Sequence, residues 1–495
     1  MKLIIKSLGP IRNNSVAIDL SRKFYVFVGL NNSGKTYVSQ LLWTIFNQKV
    51  IHQFAEELAE KPIFSQIDFN EIKAIDVEEG MISEILEEYA AFLKDEMANT
   101  YNVKSTSQFI DDISISFDFK LDDVKKAGVK AGFNITVGEY RELEYLVLAK
   151  DEQSSTFHIE EKSEKFPKDF FDFVPRKKFE QDMKEKKKSI FIMSVINALL
   201  QHQHNTFFLP SSRLFYSTFY RYIYDLERKR REDDMKRLLD LVENRQKEDK
   251  IGIESLKNLN LFKRPYTAPV NNVFEKIYSL NQEIQVVSNY EDLVKDIVEI
   301  MGGDIVMKSF EGLSPIEFYF QFNKETQDLP MYLASSSVNQ LTLLYLYLKY
   351  WVSDENNFLM IDEPEENLYP KNQILLLDLL IKFTTRQSNK VLITTHSPLM
   401  ADAVNRYIYI DILKNRYRYD IDQIVRDKNL KYINPEIAIS KEDIGIYFFT
   451  GDKIIKYEAD DYGVYFRNFR ETINSIDESC RILTDYIYLQ EGEDN

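Results

Sequence analysis

Short, uniformly apolar runs stand out against the polar background of this chain. Phe24–Val28, Phe358–Ile361 and Lys390–Ile393 each end in small, charged or hydroxyl residues, the pattern of strands covered on both faces. Leu3–Ile5 and Val16–Leu20 are further strands, set off by Gly9-Pro10 and Asn13-Asn14. Tyr37–Phe46 predicts an apolar helix directly after the third strand. Ile51–Lys61 and Met81–Met97 mix apolar and acidic residues at helical spacing, whereas Ile113–Phe119 alternates strictly, as a half-buried strand does. Phe133–Val137, Leu143–Leu148, Thr156–Ile159 and Asn205–Leu209 are expected strands, and Ile190–Leu200 an apolar helix.

Two charge-dense stretches, Arg176–Lys188 and Arg221–Lys250, predict solvated helix faces or a short antiparallel arm. A DNA- or protein-binding arm is the sharper alternative, but acidic residues are interleaved throughout. Farther on, Leu293–Met301 reads as a helix ending at Gly302-Gly303, followed by strands Ile305–Lys308 and Glu317–Phe322. Leu341–Tyr350 and Gln373–Phe383 are apolar helices. After residue 404, Arg406–Leu413 and Arg416–Tyr419 are expected edge strands. Ile444–Phe448 and Lys453–Tyr457 form a hairpin about Gly451-Asp452, Phe466–Tyr486 a terminal helix and Gln490–Asn495 an acidic tail.

With 495 residues the chain has room for two to four domains, and 44% hydrophobic against 29% charged residues is an ordinary globular balance. No apolar run approaches the length of a membrane span. The first residues enter a strand at once, without a signal-peptide layout, so a cytoplasmic location is expected. The single cysteine, Cys480, excludes an internal disulfide and a cysteine metal cluster. A net charge of −16 opposes broad nucleic-acid binding and restricts any DNA contact to a local face.

The chemistry begins where the third strand ends. Gly29-Leu30-Asn31-Asn32-Ser33-Gly34-Lys35-Thr36 fits the phosphate-binding loop pattern, in which backbone N–H groups and a helix N-terminus face phosphate oxygens. Lys35 would reach the β- and γ-phosphates of ATP, and the Thr36 hydroxyl would hold Mg²⁺. The apolar strand Asn357–Ile361 ends in two carboxylates: Asp362 would sit beside Mg²⁺, and Glu363 would polarise the attacking water. Between them in sequence, Ser335-Ser336-Ser337 opens a helix; it is either an anion site or an ordinary serine cap. His396, at the end of a further buried strand, could sense a γ-phosphate. Arg213 follows strand Asn205–Leu209 and is equally a ligand-binding residue or part of a plain helix start. His202 and His204 lack the partners a metal site needs and read as a loop before that strand.

These motifs, in this order, resemble a soluble ABC-type ATPase, and more closely the ATPase part of the overcoming-lysogenization-defect (OLD) group and the related ATPases of anti-phage systems such as Septu and PARIS. Gly29–Thr36, Leu209–Arg213, Ala334–Gln340, Asp362–Pro370 and Thr394–Pro398 carry the resemblance. It implies an α/β fold: a mixed sheet with the P-loop helix packed inside, an inserted, mostly helical α+β region and a small C-terminal α+β extension. The ATPase halves would be 1–49 and 303–410, the insertion 50–302 and the extension 411–495. It further implies head-to-tail pairing of two copies, each ATP lying between one P-loop and the partner's Ser335–Ser337. Glu363 would be the base and His396 the switch.

The implied role is a nucleotide-driven homo-oligomer that scaffolds a separately encoded effector, a nuclease, in phage defence, with DNA or a phage component as a further partner and no membrane. A DNA-repair or chromosome-maintenance ATPase that binds duplex DNA is the alternative. Three departures from the family pattern stand out. Serine occupies the signature where the family has glycine, Tyr369 replaces histidine before Pro370, and no Q-loop glutamine is evident. Asp411, Glu436, Asp460 and Asp461 do not follow the Toprim nuclease layout.

Overall fold

A computed structural model describes residues 1–64, 67, 69, 72–137, 141–162, 176–244, 266–280, 286–308, 316–323 and 327–493. At its centre is a six-stranded sheet. It takes β3 (Phe24–Gly29), β9 (Asn205–Leu209), β13 (Asn357–Asp362), β14 (Lys390–Thr395), β15 (Ile444–Phe449) and β16 (Ile454–Tyr457), in the order β16-β15-β3-β14-β13-β9. The neighbours from β15 to β9 pair in parallel, and β16 folds back on β15 as an antiparallel hairpin. All residues of β3, β13, β14 and β15 are buried, as their uninterrupted apolar runs require.

Successive side chains divide between two cores. Tyr25, Phe27, Phe358, Met360 and Leu392 enter one; Phe24, Val26, Leu359, Ile361 and Ile393 enter the other. On the first face lies α1 (Lys35–Phe46), whose residues from Val38 to Phe46 are all buried. The expectation of a P-loop helix inside the fold therefore holds. Three further helices supply the second core: α8 (Ser336–Leu346), α9 (Pro370–Thr384) and α10 (Pro398–Asp411).

The remaining strands form three antiparallel sheets: β1 (Lys2–Ser7), β2 (Ala17–Asp19) and β5 (Ser114–Asp118); β4 (Ala74–Asp76), β6 (Val129–Val137), β7 (Arg141–Lys150) and β8 (Thr156–Glu161); and β10 (Gly303–Lys308), β11 (Glu317–Phe322) and β12 (Asp328–Pro330). The first two expected strands thus belong to a different sheet from the third. Around these sheets pack α2 (Gln48–Ala59), α3 (Glu79–Thr100), α4 (Arg176–Leu199), α6 (Ala268–Tyr278) and α7 (Glu291–Met301).

Sequence boundaries and spatial boundaries differ. β9 lies within stretch 50–302 and the β15–β16 hairpin within stretch 411–495, yet both complete the central sheet. The expected edge strands Arg406–Leu413 and Arg416–Tyr419 do not form. Ser397 caps α10 by accepting the N–H of Met400, Pro398 starts the helix, and Met400, Val404, Tyr407 and Ile408 bury one helical face. A π-turn, Ile412–Arg416, continues it. Of the expected charged arm, α5 (Arg213–Asn244) contains the part up to 244, and residues 245–250 lie outside the described residues. The hairpin turns at Gly451, and the terminal helix α11 runs from Arg467 to Glu493, taking in part of the expected tail.

Candidate functional site

Parallel pairing brings the C-terminal ends of β3, β14, β13 and β9 to one edge of the sheet, where the loops that follow them meet. Gly29 ends β3 at φ 145°, and a Cβ there would stand 2.3 Å from the carbonyl oxygen of Phe449 on β15; only glycine fits. The loop then turns through Asn32 at φ 56° and Gly34 at φ 99° into α1. No side chain caps that helix at Gly34, which leaves its first turn to a ligand's acceptors.

Lys35 folds back over the loop and donates to the carbonyls of Leu30 at 2.8 Å and Gly29 at 3.2 Å. Burial lowers its pKa, opposed by the nearby carboxylates Asp362, Glu363 and Glu365. Ser33 donates to Leu30 O at 2.6 Å and fixes the same loop, while Asn31 and Asn32 are exposed on its rim.

Asp362 is buried and accepts from two hydroxyls, Thr36 Oγ1 at 2.8 Å and Thr394 Oγ1 at 2.5 Å. Burial raises its pKa; the two hydroxyl bonds act in the opposite sense. A buried carboxylate and an adjacent hydroxyl on the rim of an anion-binding loop form a hard-oxygen donor set that fits Mg²⁺. Among the described residues no group of three or more His, Cys, Asp or Glu is placed to hold a metal.

Glu363 adopts φ 47°, a strained angle for a residue with a Cβ, and its N–H donates to the Thr394 carbonyl at 3.0 Å. The turn aims its carboxylate at His396, whose Nε2 lies 3.3 Å from Glu363 Oε1. Hydrogen bonding to His396 is the main influence holding the Glu363 pKa below the usual glutamate value. Both side chains are about one-third exposed, at 37% and 34%, so water reaches the pair.

Sequence reasoning gave no supporting role to Glu365 or Gln340 and left that of Arg213 open. Glu365 Oε1 accepts from Thr395 Oγ1 at 2.6 Å, His396 N at 2.9 Å and Ser397 N at 3.2 Å, and so clamps the histidine loop. Arg213, buried at the start of α5, donates to the carbonyls of Asp362 (2.5 Å), Glu363 (2.9 Å), Pro210 (2.9 Å) and Gln340 (3.2 Å). Burial lowers its pKa to about 10. It lies at a helix start, as one expectation had it, and its guanidinium is engaged with backbone rather than directed at a ligand. Gln340 in turn bridges Ser211 O and Glu366 Oε2, each at 2.9 Å. The signal for these roles was the doubled Thr394-Thr395 and the acid pair after Pro364, both adjacent to motif residues.

Ser335 is the N-cap of α8, accepting from Val338 N at 3.3 Å, and its hydroxyl lies 2.9 Å from that of Ser337. Ser335 and Ser336 are exposed, beside exposed Tyr332 and Leu333. Ser335 thus caps an outward-facing helix end. Asp411 and Asp461 are engaged elsewhere, with Asn415 and with Arg416 and Lys441. His204 is buried against Phe46 and Phe358. It lines a cavity of about 580 Å³ at the opposite end of β9 and β13.

A family model described as AAA ATPase domain, AAA_15, matches residues 1–401. No curated protein matches the chain. Among solved structures, an SMC head bound to the C-winged helix domain of ScpA is similar at 11% identity over 93% of this chain and 97% of that one, TM-score 0.33. An SMC head with an extended coiled coil, bound to the C-terminal domain of ScpA from Pyrococcus furiosus, is similar at 12% identity over 97% and 98%, TM-score 0.33. The SMC head domain from Thermotoga maritima is similar at 12% identity over 81% and 90%, TM-score 0.26. Among the described residues no helix is long and apolar enough to cross a membrane.

Proposed function

Because the chain belongs to the AAA ATPase domain family, AAA_15, it is an ATPase, and we propose that it hydrolyses ATP with Glu363 as base, in a site that two copies complete. The observation that carries this reading is the Glu363–His396 pair, 3.3 Å apart at the sheet edge that also presents the P-loop. Gly29–Thr36 would cradle the phosphates, the uncapped N–H groups of Gly34 and the first turn of α1 donating to phosphate oxygens. Lys35 would exchange the Leu30 and Gly29 carbonyls for β- and γ-phosphate oxygens, an exchange its burial favours.

Thr36 and Asp362 would hold Mg²⁺, which when bound neutralises charge on the phosphates. Glu363, kept ionised by His396, would accept the proton of an attacking water; His396 would donate towards the γ-phosphate and lose that contact on its departure. Ser335 and Ser336 are exposed and Ser337 is half-buried beside them, as a surface meant for the partner's γ-phosphate would be.

At the level of biology, we infer that this ATP-dependent pairing scaffolds or restrains a separate effector, a nuclease, in anti-phage defence within the cytoplasm. The DNA-maintenance alternative needs a basic face, and a net charge of −16 with mixed-sign α5 argues against a broad one. The experiment is co-purification with the product of the adjacent gene, followed by mass measurement with and without ATP. A nuclease whose stoichiometry changes with nucleotide supports the reading. Tight duplex-DNA binding by the isolated chain, with no effector retained, overturns it.

A further inference from the structure

Beyond Phe466 the terminal helix leaves the body of the protein. Phe466 is buried and packs on Tyr457 at a ring distance of 5.8 Å, and Arg470 ties the helix base to Asp402 at 3.1 Å. From Arg470 to Tyr486 every residue is exposed, a span of about 24 Å of helix. A lone helix of this length with an apolar face is marginal in water.

That face has a definite period. Phe466, Phe469, Ile473, Ile476, Cys480 and Leu483 are separated by three, four, three, four and three residues, the spacing of a coiled-coil seam rather than of a helix lying on a sheet. Phe466 and Phe469 pack on the body of the protein, but Ile473, Ile476 and Leu483 are 39%, 57% and 64% exposed and Cys480 is exposed, so the seam from Ile473 to Leu483 has no partner among the described residues.

We propose that α11 pairs in parallel with the same helix of a second copy of the chain. The residues flanking the seam select this arrangement. In a parallel, in-register pair, Thr472 faces the partner's Asp477 and Ser479 faces the partner's Thr484; no like charges meet. An antiparallel pair that aligns the four exposed layers, Ile473 with Leu483 and Ile476 with Cys480, sets Asp477 against the same aspartate of the other copy. The segment from Arg467 to Tyr486 carries three basic and four acidic residues, so a copy of itself meets little net repulsion. The pairing shares with the proposed function only the premise that copies associate, and it does not depend on nucleotide.

The chain supplies its own probe, since the parallel register places Cys480 opposite its counterpart. Mild oxidation of the full-length protein without nucleotide is expected to give a covalent dimer that Cys480→Ser abolishes. Moving the thiol to the outer face, Cys480→Ser with Glu478→Cys, should give at most about a fifth of that yield. Ile476→Glu with Leu483→Glu should lose the crosslink and lower the nucleotide-free mass by light scattering, while ATP binding persists. The Lys35→Ala chain should still crosslink. Equal yields from positions 478 and 480, an unchanged mass with both glutamates in place, or a crosslink lost in Lys35→Ala would each overturn the seam.

Discussion

Thr36 and Asp362 are 326 positions apart in the chain and 2.8 Å apart in space. The bond joins the first turn of the P-loop helix to the end of β13, and the second oxygen of Asp362 takes the hydroxyl of Thr394 at the end of β14. Three parallel strands are thereby tied at one carboxylate. Burial favours the protonated acid and the two hydroxyls favour the carboxylate, so the group is set to respond to a cation.

Lys35→Ala should abolish turnover and weaken nucleotide binding by on the order of 10²-fold or more, through loss of a charge-assisted contact in a partly desolvated site. Fluorescent-nucleotide titration and phosphate release test this together. Wild-type affinity and turnover would remove Gly29–Thr36 from the site.

Much of this site was legible before the fold was known. The P-loop, the Asp362-Glu363 pair and His396 each follow an apolar run, and such runs have few places to go except a covered sheet. Less legible was how strands separated by hundreds of residues share that sheet. β9 and β15 carry no mark that assigns them beside β13 and β3, because pairing is decided by tertiary packing. The error at Arg406–Leu413 has a local cause. Tyr407, Ile408 and Ile410 favour strands by type, but Ser397-Pro398 starts a helix that buries Tyr407 and Ile408 on one side. Arg213 was ambiguous because its carbonyl partners come from β13 and α8, which sequence order does not place beside it.

If Ser335–Ser337 act on the partner's nucleotide, activity should be shareable between broken subunits. Turnover per subunit should rise with protein concentration. An equal mixture of Lys35→Ala with a chain bearing Ser335→Ala, Ser336→Ala and Ser337→Ala should recover roughly a quarter of wild-type activity, since half of randomly formed two-fold dimers contain one intact site. Each variant alone should be inactive. No recovery in mixtures that demonstrably exchange subunits would confine the site to one chain.

Arg213→Lys should act on positioning. Lysine keeps the charge but cannot reach the Asp362, Glu363, Pro210 and Gln340 carbonyls with one planar fork. We expect kcat to fall about 10- to 100-fold with KM nearly unchanged, because a small shift of Glu363 is costly while the P-loop remains intact. A change confined to KM would assign Arg213 to substrate binding instead.

The pH dependence should report the Glu363–His396 contact. The folded-state pKa of Glu363 is depressed, so its contribution to the ionised, active form is present at neutral pH and lost as pH falls through that lowered value. Replacing His396 by alanine removes the main cause, and the acid limb of the kcat profile should move upward towards the ordinary glutamate range. An unmoved acid limb would mean that another group sets it.

Glu363→Gln keeps the shape of the side chain and removes its charge. Lys35, Thr36 and Asp362 are untouched, so ATP and Mg²⁺ should still bind, while loss of the base should slow hydrolysis by roughly two to four orders of magnitude. ATP should then remain trapped between two P-loop domains and hold the pair closed, visible as a nucleotide-dependent rise in mass that does not decay on the wild-type timescale. An effector bound through this equilibrium would be fixed in one state, constantly restrained or constantly released. Glu365 and Glu366 are poor substitutes for the missing base, since Glu365 holds Thr395, His396 and Ser397 and Glu366 accepts from Gln340. Wild-type turnover with glutamine at 363 would nevertheless move the base to one of them, and paired Glu365→Gln and Glu366→Gln variants would show which.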